Sequence, residues 1–366
     1  MKRSSRVALG IVVLLLVAGG VVVYQFVLGD GLSRPTGPVT TVSGLIGTEK
    51  SDFLNNEEIQ DILRRRYGIE IDFRGAGSLE MIDMDHTGLD FLWPSSEVAV
   101  ELYKLRVGAD SAGSRVVFNS PIVMYSWPPV VEAMVEAGLV EVRDNAYFLA
   151  DFPGLIDLLL SDSTWQDVGV DVLYGALTIK STDPTQSNSG NMFSGLVANI
   201  LHDPQGRVVD SANLPSVLPD VVEIFRRQGG MPHSTGTLFR NYLERGMGEY
   251  PLIVGYENQI VEFSLQNPDL WEQTARDRLR ILYPVPTVWS SHPLIALTDA
   301  GRELTNALED EDIQNIAWNQ HGFRTGFAGV VNDPSALGID GMPQDITAIA
   351  SMPQPEVMQA IVDALP

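Results

Sequence analysis

Leu89-Asp90-Phe91-Leu92-Trp93 is an apolar run that stops at Pro94-Ser95-Ser96, and a helical stretch follows it as far as Leu105. The same order occurs twice before it. Residues 69–73 lead into Gly75-Ala76-Gly77-Ser78 and a helix opening at Leu79. Val39-Thr40-Thr41-Val42 is short and β-branched, and it passes through a polar loop over residues 43–50 into a helical pattern over 53–67. That pattern has apolar positions at Phe53, Leu54, Ile59, Ile62 and Leu63. Strand, turn and helix three times over predict a parallel sheet with helices on its faces. Further strands are expected at 116–118, 122–125, 176–180, 252–255 and 280–283.

The chain has 366 residues, 47 acidic against 24 basic, and no cysteine. At about 100–200 residues per domain there is room for two or three domains. A hydrophobic fraction of 45% with 19% charged residues excludes wholesale disorder. Without cysteine there are no disulfides, thiolate metal sites, cysteine nucleophiles or lipidated cysteine anchors. A net charge of −23 speaks against a nucleic-acid partner, which requires clustered Lys and Arg. It leaves a small anionic ligand open, because backbone amides bind anions without net positive charge.

Lys2, Arg3 and Arg6 precede an apolar run over residues 7–29, broken only by Tyr24 and Gln25. About 22 residues suffice for a bilayer core of about 30 Å. The sequence that follows, Asp30-Gly31-Leu32-Ser33-Arg34-Pro35, offers no clear Ala-x-Ala cleavage site. The expectation is a cytoplasmic basic start at 1–6, a single-pass anchor at 7–29, a linker at 30–38, and an extracytoplasmic remainder at the cell membrane. A cleaved secretory signal is the alternative.

In a sheet of this kind ligands sit beyond the carboxyl ends of the strands, where helix N-termini point. Gly47-Thr48-Glu49-Lys50, Gly75-Ala76-Gly77-Ser78 and Pro94-Ser95-Ser96 each place small or hydroxyl residues there. Taken singly, each is as well explained as a plain N-cap. A denser signal is Asp183-Pro184-Thr185-Gln186-Ser187-Asn188-Ser189-Gly190 in front of an apolar helix over residues 192–201. Pro284, Pro286 and Pro293 stiffen an extended segment over residues 280–297.

Other chemistries are weakly represented. Asp83-Met84-Asp85-His86-Thr87-Gly88 begins like a calcium loop, but its twelfth position is Pro94 where a bidentate Glu is needed. The five histidines, His86, His202, His233, His292 and His321, show no metal-ligand spacing, and no metal or cofactor site is expected. The Gly-x-Ser-x-Gly elbow and the phosphate loop are missing. His292, between Ser291 and Pro293, reads as a structural hinge residue, and most tryptophans, Trp127 among them, read as core or lobe interface.

In this order the segments resemble the extracytoplasmic solute-binding proteins of bacterial uptake systems, the type II class that includes molybdate, sulfate and phosphate binders. Val116-Val117-Phe118-Asn119-Ser120-Pro121-Ile122-Val123 resembles the family's outgoing crossing between lobes, and Ile281-Leu282-Tyr283-Pro284-Val285-Pro286-Thr287 the return. His321-Gly322-Phe323-Arg324 resembles the turn after its closing helix, and the 183–190 run its second-lobe binding loop. The Ser-Gly-Thr loop usual in phosphate binders is missing.

The resemblance implies an α/β fold: a two-lobed clamp, each lobe a mostly parallel sheet flanked by helices, after one N-terminal transmembrane helix. Residues 39–120 plus 288–366 would form lobe I and residues 121–287 lobe II. It implies ligand contacts from Thr48, Ser78, Ser95, Ser96 and Asn119 on the first side. On the second side it implies Ser187, Asn188, Ser189, Tyr256, Glu257 and Asn258. Glu49 and Glu257 conflict with a bare oxyanion; they point away, accept from a protonated ligand, or mark a cationic or polar organic solute. The implied function is a monomeric, membrane-tethered binder of a small solute, an oxyanion among the candidates, serving an ABC-type permease or another membrane protein. A sensor or protein-interaction module on the same fold is the second reading, and an enzyme the third.

Overall fold

The computed structural model describes residues 38–108, 113–327 and 329–365. The expected cytoplasmic start, anchor and most of the linker lie outside the described residues. Among those described, no helix is long and apolar enough to cross a membrane.

Among the described residues nine strands form two sheets that share one strand. They are β1 (Thr40–Ile46), β2 (Ile69–Gly75), β3 (Phe91–Trp93), β4 (Gly113–Ser126), β5 (Val140–Arg143), β6 (Ala146–Leu149), β7 (Leu252–Tyr256), β8 (Arg280–Pro284) and β9 (Trp289–Ala296). In the first sheet β2, β1 and β3 run parallel, and β9 and then β4 join antiparallel. β4 is long enough to change sheets. Its residues up to Pro121 pair with β9, while Ile122 to Ser126 pair with β7 on one side and, from Met124, with β8 on the other. The chain returns over residues 285–288 between β8 and β9.

In the second sheet β6 pairs parallel with β8, and isolated parallel bridges link Lys180 to Ile253 and, next to the sheet, Thr287 to Ile349. The crossing strand enters antiparallel to both neighbours, so "mostly parallel" describes the first lobe and not the second. The strand expected at 176–180 is likewise reduced to isolated bridges at Ala176 and Lys180. β1 runs on to Ile46, four residues beyond the expected short strand, because Ser43 and Gly44 continue the ladder against β2.

Alternation along the strands separates the cores. Ile46 and Trp93 face a cluster with Phe53, Phe118 and Phe323, whereas Leu45 and Leu92 face Met81, Tyr103 and Ile295. In β4, Ile122 and Met124 join one second-lobe cluster and Val123 and Tyr125 the other. The helix Asn188–His202 is buried from Asn188 through Ile200, as an apolar-faced helix at the centre of a core must be. The last helix, Pro355–Ala364, places Val357, Met358 and Ile361 in the cluster that also holds Ile122, Met124 and Val98. Gly195 leaves room for it, since a Cβ there would sit 2.8 Å from Met358 Sδ.

Candidate functional site

A cleft of about 230 Å³ opens between the two sheets. Gly47, Thr48 and Glu49 at the end of β1, and Gly75 to Ser78 with Glu80 after β2, form one wall. Gln186, Ser187, Asn188, His233, Ser234, Thr235 and Tyr256 form the other. The strand-end position is the one the sheet topology favours for ligands.

Behind the first wall lies a buried charge cluster. Lys50 is fully buried, and its three ammonium donors find Glu49 Oε1, Ser95 Oγ at 2.8 Å and His292 Nδ1 at 3.2 Å. Trp93 adds a ring face 5.8 Å from Nζ. Burial opposes the charge of Glu49, but the Lys50 ammonium outweighs it and holds the carboxyl well below the usual carboxylate range. Burial and then the neighbouring Lys50 charge push His292 down to about 4. The imidazole is therefore neutral at pH 7 and accepts from Lys50 through Nδ1. Burial also lowers Lys50, with Glu49 pulling the other way. Gly47 makes the arrangement possible, because a Cβ there would overlap Glu49 Oε1 and Ser95 Oγ.

The opposite wall is a helix N-terminus. Ser187 precedes the helix Asn188–His202, yet its side chain makes no capping bond. Its hydroxyl lies 3.4 Å from both Ser189 Oγ and Thr235 Oγ1, too far for strong hydrogen bonds. The first-turn amides of a helix have no internal partner, and the helix dipole adds positive potential there. Behind them Thr182, Ser189 and Thr235 form a hydroxyl chain with 2.8 and 2.6 Å steps. Gly190 lets the helix start approach this turn, where a Cβ would fall 2.8 Å from the Thr182 carbonyl carbon.

The two walls already touch. Asn188 Nδ2 donates to the Ser95 carbonyl of the first side at 3.1 Å and, within its own wall, to Tyr256 Oη at 3.0 Å. Ser290 Oγ donates to the same Ser95 carbonyl at 2.8 Å. Burial and then Glu49 push the Tyr256 hydroxyl far up, so it stays protonated.

Of the residues named from sequence, Thr48, Ser78, Ser187, Asn188 and Tyr256 line this cleft. Ser95 lies directly behind it, and Ser189 belongs to the hydroxyl chain. Ser96 caps the helix Glu97–Val107 by accepting from the Val98 amide at 3.1 Å. Three residues are elsewhere. Asn119 exchanges backbone hydrogen bonds with Arg324 and borders a different cavity with Trp289 and Ser291. Asn258 accepts from Ser120 Oγ at 3.1 Å. Glu257 is fully buried against Arg324, whose Nε and Nη2 lie 2.6 and 2.9 Å from its oxygens, and Tyr283 donates to it at 2.6 Å. Its carboxylate is turned to the scaffold, which removes one of the two charges that conflicted with an anion. Sequence reading passed over Lys50, Glu80, Gln186, His233, Ser234 and Thr235. Ser234-Thr235 before the helix Thr235–Arg245 repeats the hydroxyl-before-helix pattern and was the available signal. Among the described residues no group of three or more metal-ligating side chains is assembled.

No protein-family model and no curated sequence matches this chain. Its fold does match solved structures. The ferric binding protein from Campylobacter jejuni superposes with a TM-score of 0.55 at 11% identity, covering 88% of this chain and 96% of that one. The sulfate-binding protein SubI from Mycobacterium tuberculosis H37Rv gives 0.50 at 14% identity, covering 82% and 89%. Iron-bound HitA from Pseudomonas aeruginosa gives 0.50 at 13% identity, covering 89% and 97%. At such identities the likeness concerns the fold alone, and that fold is the two-lobed type II periplasmic-binding-protein-like one.

Proposed function

We propose that this chain is a solute-binding clamp, whose lobes close on a small polar or anionic solute for delivery to an ABC-type permease, with residues 7–29 tethering it to the membrane. The carrying observation is the cleft itself: each lobe supplies one polar wall, and the second is the uncapped start of a buried helix. Ligand bridging both walls would shift an open population toward the closed one. The pairing of Glu49 with Lys50 leaves the cluster beside the cleft with no net charge, so the cluster does not oppose a ligand carboxylate.

A thermal-shift and calorimetric panel on the full-length protein tests the reading, with sulfate, molybdate, small organic acids, amino acids, polyamines and divalent metals. A ligand at about 100 times its Kd raises stability by about 2.7 kcal/mol. Ser187→Ala combined with Asn188→Ala should abolish that response while circular dichroism stays native. A silent panel, or full affinity in the double variant, would sink it. A sensor or interaction module on the same fold is the second reading. It is favoured by an apolar groove on the second lobe, where Trp127, Phe263 and half-exposed Leu270 come together.

A further inference from the structure

Resting on the clamp reading, we infer that the solute is a small carboxylic acid that also carries an N–H or O–H donor, an amino or hydroxy acid, and is not a symmetric, proton-free oxyanion. The helix start of Asn188–His202 supplies donors for one end of such a molecule. The rest of the cleft supplies acceptors that the protein leaves unmatched.

Glu49 shows this first. Lys50 and Ser95 both donate to Oε1, and His292 Nδ1 also lies nearest that oxygen. Among the described residues no donor reaches Oε2, although Glu49 lines the cleft with its side chain 14% exposed. Asn188 shows it a second time. Its amide nitrogen must face the Ser95 carbonyl, since a carbonyl only accepts. Oδ1 is thereby fixed on the other side, buried and without a partner, in a side chain about nine-tenths buried. Asn188 Oδ1 is already closed off from water, and closure on a ligand expels the water that could otherwise serve Glu49 Oε2. A proton-free oxyanion would then press a charged oxygen against Glu49 Oε2, whereas a donor on the ligand satisfies it. The cleft, at about 230 Å³, has room for only a small molecule.

The experiment is isothermal titration of the full-length protein with L-alanine, L-lactate, propionate and sulfate. The first three share a carboxylate and nearly one size, and differ in carrying an ammonium, a hydroxyl or neither. The expected result is that alanine or lactate binds at least tenfold tighter than propionate, with sulfate weaker still; whichever leads identifies the donor. Glu49→Gln combined with Lys50→Met removes both charges together, and there the preference over propionate should fall to a few-fold in a protein that still unfolds cooperatively. Propionate or sulfate binding as tightly as the donor-bearing acids overturns this inference and leaves the clamp standing. Binding by none of the four overturns the inference; the clamp falls with it only if the wider panel above is also silent.

Discussion

Two carboxylates of this chain are buried against a cation, and they are finished differently. Glu257 has both oxygens engaged, by Nε and Nη2 of Arg324 and by the Tyr283 hydroxyl. Arg324 places two of its three remaining donors on the carbonyls of Pro343 and Gln344. Glu49 has one oxygen crowded with donors and the other left open beside a cleft. A saturated buried pair holds elements together; a half-saturated one at a strand end is a place where something else can bind. Residue type and spacing do not distinguish the two, because the difference lies in what arrives from elsewhere in the chain.

The largest expected effect tests the saturated pair. Arg324→Met leaves Glu257 buried with no counter-charge, and urea unfolding should show a loss of roughly 3–5 kcal/mol. Lys50→Met leaves Glu49 beside the cleft and its water, so its cost should be smaller, about 1–3 kcal/mol. Equal losses would break the comparison.

An acid titration sharpens it next. His292 sits at about 4 in the folded chain against 6.5 unfolded, so the unfolded state binds more protons between those values. Its contribution is complete above pH 6.5 and is lost as pH falls toward 4, amounting to about 3 kcal/mol. Glu49, also held low, gives way in the same direction below about 4.5. Unfolding free energy measured from pH 7 to 4 should fall in the native chain and fall less in His292→Asn; parallel curves would remove His292 from the cluster.

The smallest effect on stability belongs to Gly77→Ala. A Cβ there would lie 2.8 Å from the Gln186 carbonyl oxygen across the cleft. Opening the lobes relieves that clash, so stability should change by less than about 0.5 kcal/mol while ligand affinity falls about tenfold. A variant that binds as well as the native chain would show that the lobes do not meet at this point.

The first sheet was legible because its signals are local. Each strand of β1 to β3 ends in its own turn and opens its own helix, so 69–78 and 89–96 can be read without knowledge of the rest. The cleft residues at those turns, Thr48 and Ser78, came with them. Apart from the β5–β6 hairpin, the second sheet is assembled from strands far apart in sequence, and the directions of β7 and β8 follow from the crossing of β4, which no window of sequence contains. For the same reason Glu257 was misplaced: it neighbours Tyr256, which does face the cleft, but Arg324 turns its carboxylate away. Lys50 was passed over because a single lysine in a polar loop looks solvated until Trp93, Ser95 and His292 close around it.

The position of β9 sets the order in which the molecule can be completed. In the first sheet it fills the slot between β3 and β4, although it is the last strand to leave the ribosome. Everything β4, β7 and β8 need to pair with one another has been made before it. Until residue 296 emerges, β3 and β4 lack the strand that joins them, and the two edges it would cover are open to other partners. Chain growth at about 5–20 residues per second makes that exposure last many seconds. The half that holds Thr48, Glu49 and Ser78 is thus begun first, finished last, and the part most in need of protection from pairing with other chains.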